Sequence, residues 1–494
     1  MEVVNKKIMH GAFWTLLARF VDRGIGLVST LILVRLLTPE DFGVVALAVS
    51  VSSFLQLMSD FGFGTVLIQK QDIKKYHYDT VWTLRLFILI ITGVVGYLIS
   101  DSAAVFFGDE RVSPIIKCLS ALILMRSIQN IAIIDFTKQM RFEILFWAGF
   151  GRKVLTFIVT VGIAYYTHSY WALVVGMLVG ALVTNIFSHL SHPYRPSLSL
   201  KAINEIAGMS GWIFINNIIK YLSGNLPKIM AGRLLGVSSA GYLSVADEAV
   251  NVPTTEIVSA INKSTLPGYS LKQNDRVDLK NTYLKVMSFI TLSAFPASLG
   301  IWAVSEPLVF VALGDEWVVT IPIIQWLALT YLLQSLISNM GSINMAIGLP
   351  RLSVGINLSR LLVLVPAIYF LHIESGLVGI AQGMFLANLF SCCIALSVQM
   401  IVLKVNAIEY VGILLRPVIA SLVMVSLLKF MQSHYLIDRT YFFTLIVMVV
   451  VGMLSYLVGV ICLWKLMKTP DGVERIVLNI THEYWSNIKG KINP

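Results

Sequence analysis

The sequence predicts an all-α integral membrane protein of about fourteen transmembrane helices, arranged as two six-helix lobes related by a pseudo-twofold axis plus two C-terminal helices. Three observations lead there. The first is composition: 57% of the 494 residues are hydrophobic and 13% are charged. Soluble domains carry about 25% charge, so this chain lacks the polar surface to cover several of them. The second is a train of apolar runs whose connections alternate in charge. The third is an internal repeat.

Apolar runs long enough to span a bilayer fall at about 11–37, 42–68, 80–100, 112–134, 142–166, 169–190, 206–235, 239–262, 281–304, 317–347, 352–371, 375–403, 408–430 and 441–466. The first, seventh and eighth are weakened by internal charges. The first run follows Lys6 and Lys7 and contains Arg19, Asp22 and Arg23, so it reads as a retained helix and not a signal peptide. One set of connections is basic: Lys70, Lys74 and Lys75; Lys138 and Arg141; Arg195 and Lys201; Lys263, Lys272, Arg276 and Lys280; Arg351; Lys404. The other set is short and often acidic, with Glu40 and Asp41, Asp109 and Glu110, Asp315 and Glu316, Glu374 and Asp438. Basic loops stay in the cytoplasm. The alternation holds from end to end, which supports the count of fourteen and places both termini in the cytoplasm.

An offset of 198 residues maps Arg35-Leu36-Leu37 onto Arg233-Leu234-Leu235, Gly43 onto Gly241 and Trp14 onto Trp212. Each copy opens a block of six spans starting from the cytoplasm, as parallel repeats do. The expected division is 1–200 for the N-terminal lobe, 201–405 for the C-terminal lobe, 406–468 for spans thirteen and fourteen, and 469–494 for a cytoplasmic tail. The net charge of +10 is read as loop lysines and arginines facing anionic headgroups, with no nucleic-acid module. Cys118, Cys392, Cys393 and Cys462 sit in apolar runs and read as small hydrophobes, with no metal site.

Motifs then accumulate along the chain. They are RLLTPEDFGVVALA from Arg35 to Ala48, SDFGFGTVLIQK from Ser59 to Lys70, and RLLGVSSAGY from Arg233 to Tyr242. Asn251-Val252-Pro253, STLPGYS from Ser264, LGDEW from Leu313 and AIGLPRL from Ala346 follow. In this order and spacing the chain resembles the polysaccharide-flippase branch of the MOP superfamily, which includes colanic-acid exporters, teichuronic-acid transport proteins and O-antigen flippases. It departs at Asn262-Lys263-Ser264, where relatives often carry Thr-Arg-Val. The resemblance implies a bacterial inner-membrane flippase, not an enzyme. Such a protein moves undecaprenyl-diphosphate-linked oligosaccharide units outward by alternating access, for exopolysaccharide, capsule or O-antigen synthesis. Polysaccharide polymerase and chain-length machinery are the implied partners, alongside membrane lipid.

Charges inside the spans carry the site expectation. An ionisable group at mid-bilayer costs at least about 2.5–3.5 kcal/mol, so it faces a cavity or a partner. Arg19 and Arg23 share one face of the first span, and Asp22 is placed to pair with Arg19. Arg85, Arg126 and Arg360 sit on the third, fourth and eleventh spans, and Lys220 and Lys228 share a face of the seventh. These seven are the candidate lining of a cationic cavity, since guanidinium forks match the oxygens of a lipid diphosphate and stay charged. Trp212, Asn217 and Tyr221 are candidates for the sugar. Arg152 and Lys153 read as snorkelling toward the cytoplasmic end. Asp22, Asp60, Asp247 and Glu248 are the acids open to ion pairing or to coupling with H⁺ or Na⁺; no other cofactor is expected. Two rivals share part of this pattern. A membrane polymerase or ligase of lipid-linked sugars would need a large outward loop, and a cation-coupled drug antiporter of the same superfamily would be expected to carry an acid-dominated cavity. There is no phosphate-binding loop or nucleophile elbow for soluble-type catalysis.

Overall fold

The computed structural model describes residues 2–59, 67, 73–203, 211–272, 275–436 and 439–467. Asp60 and the tail 469–494 lie outside the described residues. Within them every regular element is a helix.

The elements are α1 (Glu2–Leu36), α2 (Pro39–Ser59), α3 (Lys75–Phe107), α4 (Val112–Ser127), the short α5 (Ile134–Lys138), α6 (Phe142–Thr167), α7 (Trp171–Ser191) and α8 (Gly211–Leu235). After them come α9 (Val237–Leu271), α10 (Arg276–Leu308), α11 (Thr320–Ile337), α12 (Met340–Ala346), α13 (Pro350–Leu403), α14 (Ala407–His434) and α15 (Tyr441–Leu466). Nine stretches among the described residues are long and apolar enough to cross a membrane, ten with the bent pair of α4 and α5. The predicted weak spans, α1, α8 and α9, are the ones that fall below that apolarity, because each carries several charges.

Two predicted spans follow one another in α13 as two helices joined at a kink. At 54 residues α13 would be roughly 80 Å long if straight, far beyond the ~30 Å hydrocarbon core. It turns at Gly376, where φ is 56° and ψ is −128°, a conformation that essentially only glycine adopts. A Cβ on Gly379 would lie 2.0 Å from the Leu371 carbonyl oxygen, so the two arms need small residues where they part. The fourth span differs from expectation in the other sense. It is not one rod over 112–134: α4 ends at Ser127, and the chain bends by 70° before α5.

The chain forms two compact units, Met1–Ser244 and Val245–Pro494. In the first, α3 packs on α4, α6 on α7, α1 on α6 and α2 on α4, around Val44, Leu47, Ile115, Ile116, Leu119 and Val174. This unit runs past residue 200 because α8 lies along α2. Tyr221 donates to the Ser50 carbonyl, and Gly232 leaves room for Leu47. Phe87, Ile91, Leu98 and Val105 form an exposed apolar stripe on α3, as a lipid-facing helix requires.

The repeat has a structural signature in this unit. A Cβ on Gly43 would lie 2.0 Å from the Val237 carbonyl oxygen, and one on Gly241 would lie 1.8 Å from the Pro39 carbonyl oxygen. The offset of 198 converts each contact into the other.

After α7 the segment 192–203 is bound along the start of α3. Tyr194 and the Ser197 amide donate to one oxygen of Asp79 at 2.6 and 3.1 Å, and the Ser199 and Ala202 amides donate to Thr83 and Thr80. In the second unit α10 packs on α11 and α14, and α11 packs on α13. Its core is built on Tyr269, Tyr283, Met287, Phe295 and Leu336.

Candidate functional site: a cationic cavity in the first unit

The break in the fourth span organises the site. Ending α4 at Ser127 leaves carbonyl groups without helical partners, and in a membrane these must be satisfied internally. Polar residues of α7 do this. Asn185 donates to the Met125 carbonyl at 2.7 Å, and His189 meets the Ile128 carbonyl at 3.0 Å. The Asn130 amide donates to Ser188 at 3.1 Å, and its side chain caps the next turn by accepting from Ala132. Arg126 and Gln129 are thereby fixed on either side of the bend.

Beside them lies a cavity of about 600 Å³, within the range of small-molecule sites. Ser52, Ser53 and Gln56 of α2, Arg85 of α3, Arg126 and Gln129 at the break, Arg152, Lys153 and Thr156 of α6, and Thr184 and Asn185 of α7 line it. Four cations thus face one space, and no acid is among its described lining residues. Two guanidinium groups are held by neutral amides. Arg126 donates to the Gln56 side-chain oxygen, and Arg85 donates to that of Gln129 at 3.0 Å. Asp22 of α1 approaches the far side of the α6 cations, 3.5 Å from Lys153 and 4.0 Å from Arg152. The same α1–α6 contact seats Trp14 against Phe146, with ring centroids 4.9 Å apart.

Of the seven candidate cations, the structure brings Arg85 and Arg126 together in this cavity. Arg19 and Arg23 flank Asp22 on α1 and are not among its lining residues, nor are Lys220 and Lys228 on α8. Arg360 belongs to the second unit, where it neighbours Asp247 and Tyr331, whose hydroxyl donates to Asp247 at 2.7 Å. Glu248 is exposed on α9, and Asp60 lies outside the described residues. Arg152 and Lys153, expected to snorkel, instead complete the cavity wall. Sequence reasoning also missed Gln56, Gln129 and Asn185. The available signal was the polar run from Arg126 to Asn130 inside an apolar span.

A family model described as polysaccharide biosynthesis protein matches residues 32–322, more than half of the chain. The chain belongs to this polysaccharide biosynthesis protein family. Among its relatives, the lipopolysaccharide biosynthesis protein WzxC of Escherichia coli (strain K12) is 26% identical, covering 85% of this chain and 83% of WzxC. The teichuronic acid biosynthesis protein TuaB of Bacillus subtilis (strain 168) is 22% identical, covering 86% and 89%. Among solved structures, the lipid II flippase MurJ in an inward closed conformation superposes with a TM-score of 0.73 at 14% identity, covering 92% of this chain and 99% of that one. An inward-facing multidrug resistance MATE transporter of the MOP superfamily gives 0.61 at 16% identity, covering 77% and 94%. At these identities the likeness establishes the fold. This family member is a multi-pass membrane protein with a transporter architecture.

Proposed function

We propose that this protein moves lipid-diphosphate-linked oligosaccharide units from the inner to the outer leaflet of the bacterial plasma membrane, with both termini in the cytoplasm. The observation that carries the reading is the about 600 Å³ cavity with Arg85, Arg126, Arg152 and Lys153 around it. So many cations inside apolar helices are costly unless an anion answers them. A diphosphate supplies that charge, and guanidinium forks hold it in two-point contacts. The cavity's serines, threonines and amides suit sugar hydroxyls, while the lipid tail stays in the bilayer. Family membership, and relatives named for lipopolysaccharide and teichuronic acid biosynthesis, agree with this substrate class. In this account the lobes divide near residue 200. Arg19, Arg23, Lys220 and Lys228 serve the path into and out of the cavity. Asp22, Asp60, Asp247 and Glu248 are the acids available for pairing or ion coupling.

The test is export in cells that depend on this gene. Arg85→Ala combined with Arg126→Ala should abolish surface polysaccharide while lipid-linked units accumulate on the inner leaflet and the variant remains folded in the membrane. Undiminished export by the double variant would remove the cavity from the transport path.

A further inference from the structure

Each of the two arginines is met by a neutral amide. In each pair the guanidinium meets an amide oxygen: Gln56 for Arg126 and Gln129 for Arg85. The pairs are interleaved. The bend at the end of α4 contributes one cation and one amide, α2 contributes the other amide, and α3 contributes the other cation. The Gln56 amide is itself oriented, since its nitrogen donates to the Ser52 carbonyl one turn earlier at 3.4 Å, which turns its oxygen toward Arg126. The Arg126 end is anchored through the bond of Asn185 to Met125. If these contacts served cohesion alone, glutamate would serve better, because a carboxylate adds charge–charge attraction and two-point geometry to the bond. Glutamate would also cancel the positive charge that an anion needs.

We propose that Gln56 is a positioning residue for the anionic headgroup: it aims the guanidinium fork of Arg126 while leaving that charge available to the substrate. This rests on the diphosphate reading of the cavity. It makes a specific claim about acceptor charge that a structural role does not share, because a structural role tolerates or prefers glutamate.

The experiment uses the purified full chain in detergent, titrated with farnesyl diphosphate as the probe and inorganic pyrophosphate as competitor. Gln56→Glu should weaken binding by about tenfold or more and flatten its salt dependence, with the thermal midpoint unchanged or raised. Gln56→Leu keeps the charge and loses the aim; it should weaken binding less and lower the midpoint. Parent-like affinity in a folded Gln56→Glu variant, or in Gln56→Leu, overturns the positioning role. If Arg126→Ala also binds farnesyl diphosphate like the parent, the diphosphate reading itself falls. If Arg126→Ala loses binding while Gln56→Glu keeps it, only the positioning role falls.

Discussion

Arg111 shows how one guanidinium ties two connections together, pairing with Asp109 in its own connection and with Glu40 in another. Arg111 donates to Asp109 at 2.7 Å and also bonds Glu40 at the start of α2. The Arg111 guanidinium holds the Asp109 carboxyl below its ordinary value, partly offset by burial. The folded state therefore favours the ionised form. The resulting stability is fully present above the unfolded carboxyl value of about 3.9 and is lost as pH falls through the lower folded value. Asp109→Asn should lower the thermal midpoint at pH 7, and the gap to the parent should close as pH is taken well below 4. A gap that stays constant across that range would show that the pair contributes nothing through charge. Tyr194 follows the opposite sign. Burial and its bond to Asp79 raise its phenol, so its contribution is complete below pH 10 and disappears only in strong alkali. Neither pair was legible in the sequence. Tyr194 and Asp79 lie 115 residues apart, and single-sequence periodicity carries no information on such contacts.

At the scale of elements, hydropathy located the spans because each must be about 20 apolar residues long. It failed where a span keeps its apolar content but changes direction. The fourth span reads as continuous because Ile131 to Ile134 restore the apolar average after Asn130, while the bend is decided by α7 groups that bind the freed carbonyls. The cationic theme of the first lobe was legible from Arg85 and Arg126, since charge in a span is conspicuous. Gln56 was not, because a lone amide in a helix is inconspicuous without its partner, and Gln129 stood out only as part of the polar run after Arg126. The α6–α7 contact gives a packing prediction. A Cβ on Gly176 would lie 1.9 Å from Thr160 Oγ1. Gly176→Ala should therefore destabilise the protein by about 1–3 kcal/mol. Adding Thr160→Ala should recover most of that loss in thermal unfolding, and a double variant no more stable than the single one would show that the strain lies elsewhere. At the other end of the chain, Gly376→Ala should cost about 1–3 kcal/mol through backbone strain alone, with no clash to relieve, since its Cβ would meet open space.

For the whole molecule, the alternation of basic and acidic connections yields a test of orientation. Cysteine introduced at Gln139 or Lys272 should be labelled by a membrane-impermeant thiol reagent only in inside-out vesicles. Labelling in intact cells would invert the assignment. The repeat is the other property at this scale, and the paired contacts of Gly43 and Gly241 give it a physical meaning. A contact that the repeat offset turns into its own counterpart is isologous, the kind made between identical subunits about a twofold axis. Such a surface needs to be encoded only once. A chain of half this length, carrying a single Arg-Leu-Leu corner and a single glycine, could build the same crossing by meeting a second copy of itself as a homodimer. Fusing the copies frees each half to diverge everywhere except at that crossing. One half can then accumulate arginines and amides around a cavity while the other sets Arg360 beside Asp247, and the shared glycines keep the two compatible.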